Sequence, residues 1–328
     1  PSHPDFAFRY TPDAGLWSPF GTIPQPRFFD KGAELVSAPQ GAEAIVLANN
    51  FLSLDEAARA YIRRYADKAE RLGIPIYAFS CGDYSHTLSF DHRVRVFRYS
   101  LYRHSVSPTD ISIPTNIDDI GRGGVVLRNK QPLPTVSFCG KAGFGSLRET
   151  LVSYIRRAGY EAAAIVAPKK RAYIRGVFWR RWAVQACARS PLIKTHFVLR
   201  KTFSGALRTL EVPAEEARKD FIDSMLHSDF VLAPKGDGNY SNRFLEALAM
   251  GRIPVLIDTG TVLPLEEKID YSKIIVRVPM DHIADTPRYI REFYDALTED
   301  GWQERQRLAR NMFEKHLEQD SFFRNIFI

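Results

Sequence analysis

The chain has 328 residues, 45% hydrophobic and 25% charged with a net charge of +7, the balance of a soluble globular protein with room for two domains of about 150 residues. No stretch approaches the roughly 18 uncharged apolar residues of a membrane-spanning helix, and Pro1-Ser2-His3-Pro4-Asp5 lacks the basic and apolar regions of a secretory signal. Cys81, Cys139 and Cys187 are too few and too widely spaced for a disulfide framework or a structural zinc site, so a reducing compartment, the cytoplasm, is expected.

The first forty residues are rich in proline and aromatics and read as irregular chain wrapped on a core. A first strand is expected at 44–48. A helix follows, where Ser53 and Glu56 have capping-box spacing, apolar positions recur through Tyr65 and Gly73 lies just beyond the end. Residues 75–79 and 94–97 read as further strands, so β and α alternate and a parallel sheet is implied. The pattern restarts near Leu133, after a glycine-rich and polar stretch from Gly121 to Pro134 where the domain boundary is placed, giving domains 1–130 and 131–328. There, 135–139 reads as a strand, 140–145 as a glycine-rich turn and 146–157 as a helix. Later strands are expected at 196–199, 230–232, 253–257 and 274–278. Helices fit 214–227, 241–250 and two segments beginning near Thr286 and Trp302, the last of which would cross back to the first domain.

Between Lys169 and Lys194 lie Lys169, Lys170, Arg171, Arg175, Arg180, Arg181, Arg189 and Lys194 with no acidic residue, interleaved with Tyr173, Phe178, Trp179 and Trp182. Such a segment suits peripheral contact with an anionic membrane or grip on a polyanion. The plainer alternative is a helix that buries its aromatics and keeps its arginines solvated. No nucleic-acid motif accompanies it, and no nucleic-acid partner is expected.

Residues 230–251 carry the most chemistry. A buried strand runs into a loop with Gly236 and Gly238 and then into a helix starting at Ser241. Glycines admit close approach of a ligand to the backbone, and a helix N-terminus offers unpaired N–H groups to a phosphate. Arg243 and Glu246, three residues apart, project from nearly the same face. A guanidinium clamps a diphosphate, and a carboxylate one turn deeper accepts hydrogen bonds from ribose hydroxyls. An ordinary surface Arg–Glu pair is the bland alternative, which the glycine-rich strand-to-helix turn disfavours.

These residues resemble the signature of the exostosin-like glycosyltransferases: Leu232, Pro234, Gly236, Ser241, Arg243, Glu246, Ala247, Gly251, Ile253, Pro254, Val255, Leu263, Pro264, Asp270 and Tyr271 follow in its order, with Tyr271 where Trp is usual. The wording Gly-Arg-Ile-Pro-Val-Leu-Ile resembles compact bacterial members. Weaker likenesses are Phe138-Cys139-Gly140 with Arg148, the Asp110 to Pro114 segment, and Asp83, which follows Cys81-Gly82 where relatives have His-Asp.

The resemblance implies an α/β GT-B fold, two Rossmann-like domains facing a cleft, and transfer of a sugar from a nucleotide sugar to a glycan or lipid-linked glycan. Glu246 would contact the ribose. Arg243 and the backbone amides from Gly238 through Asn239, Tyr240 and Ser241 to Asn242 would neutralise the departing diphosphate. Gly140, Arg148, Gly236, Lys235, Arg200 and Lys201 complete the donor-side candidates, and Asp83 and then His86 are the candidate bases. The sequence contains no Asp-x-Asp, so no metal and no cofactor is expected, in a reaction taken to be inverting. An epimerase or hydrolase on the same fold and a non-catalytic polyanion binder are the competing readings.

Overall fold

The structure is a computed structural model and describes residues 5–8, 34–35, 42–83, 88–200 and 212–327. It is α/β, with two separate sheets of parallel strands in two Rossmann-like units, as the GT-B reading requires. One unit comprises residues 1–116, 262–265 and 315–328, the other 117–261 and 266–314.

The first unit contains β1 (Asp5–Phe8), β2 (Glu34–Leu35), β3 (Ala44–Asn50), α1 (Glu56–Leu72), β4 (Ile76–Phe79), β5 (Val94–Arg98) and β6 (Asp110–Ser112). Its sheet runs β2-β1-β3-β4-β5-β6, all parallel. The sequence therefore opens with strands that its proline-rich, aromatic composition did not announce, and residues 44–50 form the third strand rather than the first. Strand β4 is buried throughout, the continuous apolar run expected when helices cover both faces of a sheet. Helix α1 begins two residues later than its capping-box spacing suggests. Asp55, not Ser53, is the N-cap, its carboxylate accepting from the Ala58 amide at 2.8 Å. Gly73 ends the helix in the left-handed conformation (φ 67°), and Ile62, Tyr65, Ala66 and Ala69 turn inward.

The second unit contains β7 (Thr135–Lys141), α2 (Leu147–Val166), a 3₁₀ turn (Pro168–Tyr173), α3 (Gly176–Ala188), β8 (Lys194–Arg200), α4 (Ala214–Leu226), β9 (Phe230–Leu232), α5 (Asn242–Ala249), β10 (Ile253–Asp258), β11 (Val276–Pro279), α6 (Thr286–Asp295) and α7 (Glu299–Met312). Its sheet runs β11-β10-β9-β7-β8, again all parallel. A final helix, α8 (Gln319–Phe327), belongs to the first unit, where Phe323 meets Phe97 edge-on at 5.5 Å and Phe327 meets Tyr77 at 5.0 Å.

Residues 117–134 pack with the second unit. Arg128 donates to Asp229 at 2.8 Å, Asp229 also accepts from the Thr135 amide at 2.7 Å, and Arg310 donates to Asp119 at 2.9 Å. Arg252, within the Gly-Arg-Ile-Pro run, is wholly buried and spends its guanidinium on the Met225 and Val126 carbonyls and Gln306. Gly251 beside it takes φ 64°, and a Cβ there would stand 2.7 Å from Val125, which ties glycine to this position. All three cysteines are buried and free.

Candidate functional site

Numbered within its own sheet, the second unit has strand order 2-1-3-4-5, so the winding reverses between β7 and β9. In open parallel sheets, ligands bind outside the carboxyl ends of the strands at this reversal. Strand β7 ends there in Cys139-Gly140-Lys141, and β9 runs on through Ala233-Pro234 to Lys235 and the glycine loop. Gly140 and Lys141, expected in a turn, are the last residues of the strand.

Arg243 lies in the first turn of α5 and reaches across to β7. Its Nε and Nη2 both donate to the Cys139 carbonyl, at 3.1 and 3.0 Å, and its guanidinium stands 4.6 Å from the Phe138 ring centroid. Gly140 makes room for it. The backbone there has φ 140°, and a Cβ would lie 2.6 Å from Arg243 Nη2. Burial, followed by the nearby Arg180 guanidinium, lowers the Arg243 pKa to about 10, which leaves it charged at neutral pH.

Lys235 is buried, and burial pulls its pKa down to about 7, with Asp237 raising it and Arg180 lowering it further. Arg180 thus acts on both Lys235 and Arg243, and three cations converge beside the glycine loop. The fold fixes Arg180 there by a close backbone approach. A Cβ on Gly176, the first residue of α3, would fall 2.1 Å from the Gly236 carbonyl oxygen and 2.5 Å from that of Lys235. Just over one turn later along α3, Arg180 lies against the loop, with its Nη2 3.5 Å from where a Gly236 Cβ would be. Sequence reasoning left Arg180 either facing a membrane or polyanion or solvated on a helix. The available signal was Gly176 opening a helix inside the acid-free run, the small residue that allows this contact. In the same helix Phe178 and Trp179 are buried, so the aromatics of the basic segment are largely core.

The loop itself is held from behind. The Gly236 amide donates to the Tyr240 carbonyl at 2.8 Å, and the buried Asn239 side chain accepts from Thr259 and Thr261 at 2.5 and 3.4 Å. Asn239 therefore serves as scaffold, while Gly238, Tyr240 and Asn242 lie along the loop that leads into α5. Ser241 precedes α5 in an extended conformation and its side chain does not cap the helix; the Phe244 amide donates to its carbonyl at 3.0 Å, and the Asn242 and Arg243 amides open the first turn. Glu246, one turn beyond Arg243, accepts from Arg218 at 3.3 Å. Burial raises its carboxyl, and Arg218 and Arg243 oppose that rise.

The remaining candidates are placed as follows. Arg200, at the end of β8, is buried beside the Cys139 thiol and donates to Asp220 at 2.7 Å. Arg148 is exposed on the first turn of α2. Asp83 is exposed after β4 in the first unit, beyond Cys81, whose backbone amide and carbonyl are both bonded by the Asn50 side chain. His86 and Lys201 lie outside the described residues.

Comparison with known proteins adds the following. Residues 150–293 match the Exostosin GT47 domain. Exostosin-1 of Drosophila melanogaster is 38% identical over 77 residues, 24% of this chain and 10% of the relative. Exostosin-1a of Danio rerio is 26% identical over 262 residues, 73% of this chain and 32% of the relative. The chain thus spans less than a third of the length of these curated relatives. Among solved structures, a glycosyltransferase from Rickettsia africae ESF-5 aligns over 86% of this chain and 88% of its own, with 9% identity and a TM-score of 0.39. The matched stretch runs from α2 into α6 and includes Arg180, Lys235, Arg243 and Glu246, so it is the Exostosin GT47 domain that this chain resembles, and the resemblance covers its candidate site.

Proposed function

We propose that this protein is a glycosyltransferase that moves a sugar from a nucleotide-sugar donor to a glycan. The observation that carries the reading is the convergence of Arg243, Lys235 and Arg180 at the reversal point of the second sheet, with Glu246 one turn deeper in α5. Three cations and the first-turn amides of α5 match a diphosphate, and a buried carboxylate matches a pair of ribose hydroxyls. In the reaction an acceptor hydroxyl attacks the anomeric carbon, the bond to the diphosphate breaks, and the nucleoside diphosphate leaves with the bonding electrons. The cations stabilise the charge that builds on the departing oxygen, an electrostatic role that serves transfer without a metal.

In an inverting reaction Asp83, or His86, would take the hydroxyl proton. The acceptor we assign is a growing bacterial surface polysaccharide, lipid-linked, met at the cytoplasmic face of a membrane. The bacterial-type Gly-Arg-Ile-Pro-Val-Leu-Ile run and the excess of basic residues support that assignment.

The test is release of nucleoside diphosphate from a panel of nucleotide sugars, with and without oligosaccharide acceptors. Acceptor-dependent release with a lengthened glycan is expected, and Asp83→Asn should abolish it. Equal release without acceptor, or an epimerised donor, would replace transfer by hydrolysis or epimerisation on the same site.

A further inference from the structure

Helix α2 buries almost nothing. Of its 20 residues only Ser153 is fully buried, an unusual state for a helix within a folded domain, where packing of an apolar face supplies most of the stability. One side faces the protein. Ser153 accepts from Arg175 at 2.8 Å, the Tyr154 ring meets Phe178 at 5.1 Å, and the Arg157 guanidinium stands 4.8 Å from the Trp182 centroid. The adjoining face, roughly 110° round the helix, carries Leu147, Leu151, Ile155, Ala158, Ala162 and Ile165. At 100° per residue these six fall within an arc of about 80° and run the helix length, about 30 Å. Leu147 and Ile165 are 90% and 84% exposed, and Leu151 and Ile155 are 64% and 63% exposed. Scattered exposed apolar residues are ordinary, but a continuous stripe of this kind marks an interaction surface.

The charges beside the stripe say what it fits. The two carboxylates of α2 are neutralised within the protein, Glu149 by Lys141 at 3.1 Å and Glu161 by Arg157 at 3.3 Å. Lys169 and Lys170, just beyond the end of the helix, are exposed and form no ion pair among the described residues. An apolar stripe with unpaired cations at its C-terminal end is complementary to an anionic bilayer surface. Acyl chains take up the leucines and isoleucines while headgroup phosphates face the lysines. We propose that α2 docks this protein, in the plane of the interface, onto a membrane rich in anionic lipid. This surface is distinct from the donor site and from the aromatics of α3, Phe178 and Trp179 being core.

The test uses the full chain and vesicles of phosphatidylcholine with roughly a third phosphatidylglycerol, beside pure phosphatidylcholine. Wild type should sediment with the anionic vesicles, and rising salt should weaken that binding. Leu151→Glu with Ile155→Glu should lower the partition at least tenfold. Both sites are exposed and glutamate is a good helix former, so an unchanged melting curve is expected. Lys169→Glu with Lys170→Glu leaves the stripe intact and should weaken binding only to the anionic vesicles. The proposal is overturned if wild type ignores anionic vesicles or if the stripe variant binds them as well as wild type. It is also overturned by a concentration-dependent dimer that the stripe variant abolishes without any vesicle binding. Nucleotide affinity, measured alongside, should not change, which separates failure here from failure of the donor site.

Discussion

Lys235 offers a sharp test of the donor site because its charge is set by burial. An ordinary lysine titrates near 10.5, but here burial brings the value to about 7, so close to half the molecules hold a neutral amine at neutral pH. A bound diphosphate supplies the counter-charge and restores the ammonium. Binding above pH 7 should therefore take up close to one proton, and affinity should fall by up to tenfold per pH unit between about pH 7 and 9. The stability of the free protein should move the opposite way. The folded pKa lies below the unfolded one, so the unfolded chain binds more protons between about 7 and 10.5. Stability gains up to about 1.4 kcal/mol per pH unit across that window. Calorimetry with a nucleotide sugar, in two buffers of different ionisation heat, measures the proton uptake directly. Lys235→Arg keeps the charge and should bind without the uptake. An affinity that does not change from pH 7 to 9, with no buffer-dependent heat, would refute the argument.

Other perturbations follow from the same geometry. Gly140→Ala puts a Cβ 2.6 Å from the Arg243 guanidinium at φ 140°; strain of about 1–3 kcal/mol should appear in urea unfolding, with nucleotide affinity down at least tenfold. Glu246→Gln should separate stability from binding. Burial raises its carboxyl, so the folded state holds that proton more tightly than the unfolded chain, and stability falls as pH rises above the unfolded value of 4.5. At pH 7 the variant should unfold no more easily than wild type while losing nucleotide affinity, and a large loss of stability would contradict the burial argument. Arg128→Ala leaves the buried Asp229 carboxylate without its cation and should lower the unfolding free energy by about 3 kcal/mol in urea titration.

The donor-side loop was readable because its signals are local. The apolar strand 230–232, Gly236, Gly238 and the Arg243–Glu246 spacing lie within one strand–loop–helix unit, and β9, the loop and α5 follow that order. Arg180 was hidden because which face of α3 meets the loop depends on Gly176 seating on the Lys235 and Gly236 carbonyls, more than fifty residues along the chain. The stretch from Gly121 to Pro134 looked like a linker by composition, yet the partners of its region are distant. Arg128 pairs with Asp229 across 101 positions and Asp119 with Arg310 across 191. Exposure of the α2 stripe was equally illegible, since Leu147, Leu151 and Ile155 have the spacing of an ordinary core-facing helix. Strands β1 and β2 gave no local signal in a segment full of proline and aromatics.

The most direct test of the account is binding of nucleoside diphosphates and their sugar conjugates to wild type and to Arg243→Ala, read as thermal stabilisation. At one hundred times its dissociation constant a ligand adds about 2.7 kcal/mol of stability. One nucleotide family should produce that shift in wild type, produce less in Arg180→Ala, and produce none in Arg243→Ala. A folded wild type that no nucleotide stabilises, or a shift that Arg243→Ala preserves in full, would contradict the assignment of the Arg243, Lys235 and Arg180 cluster as the donor site.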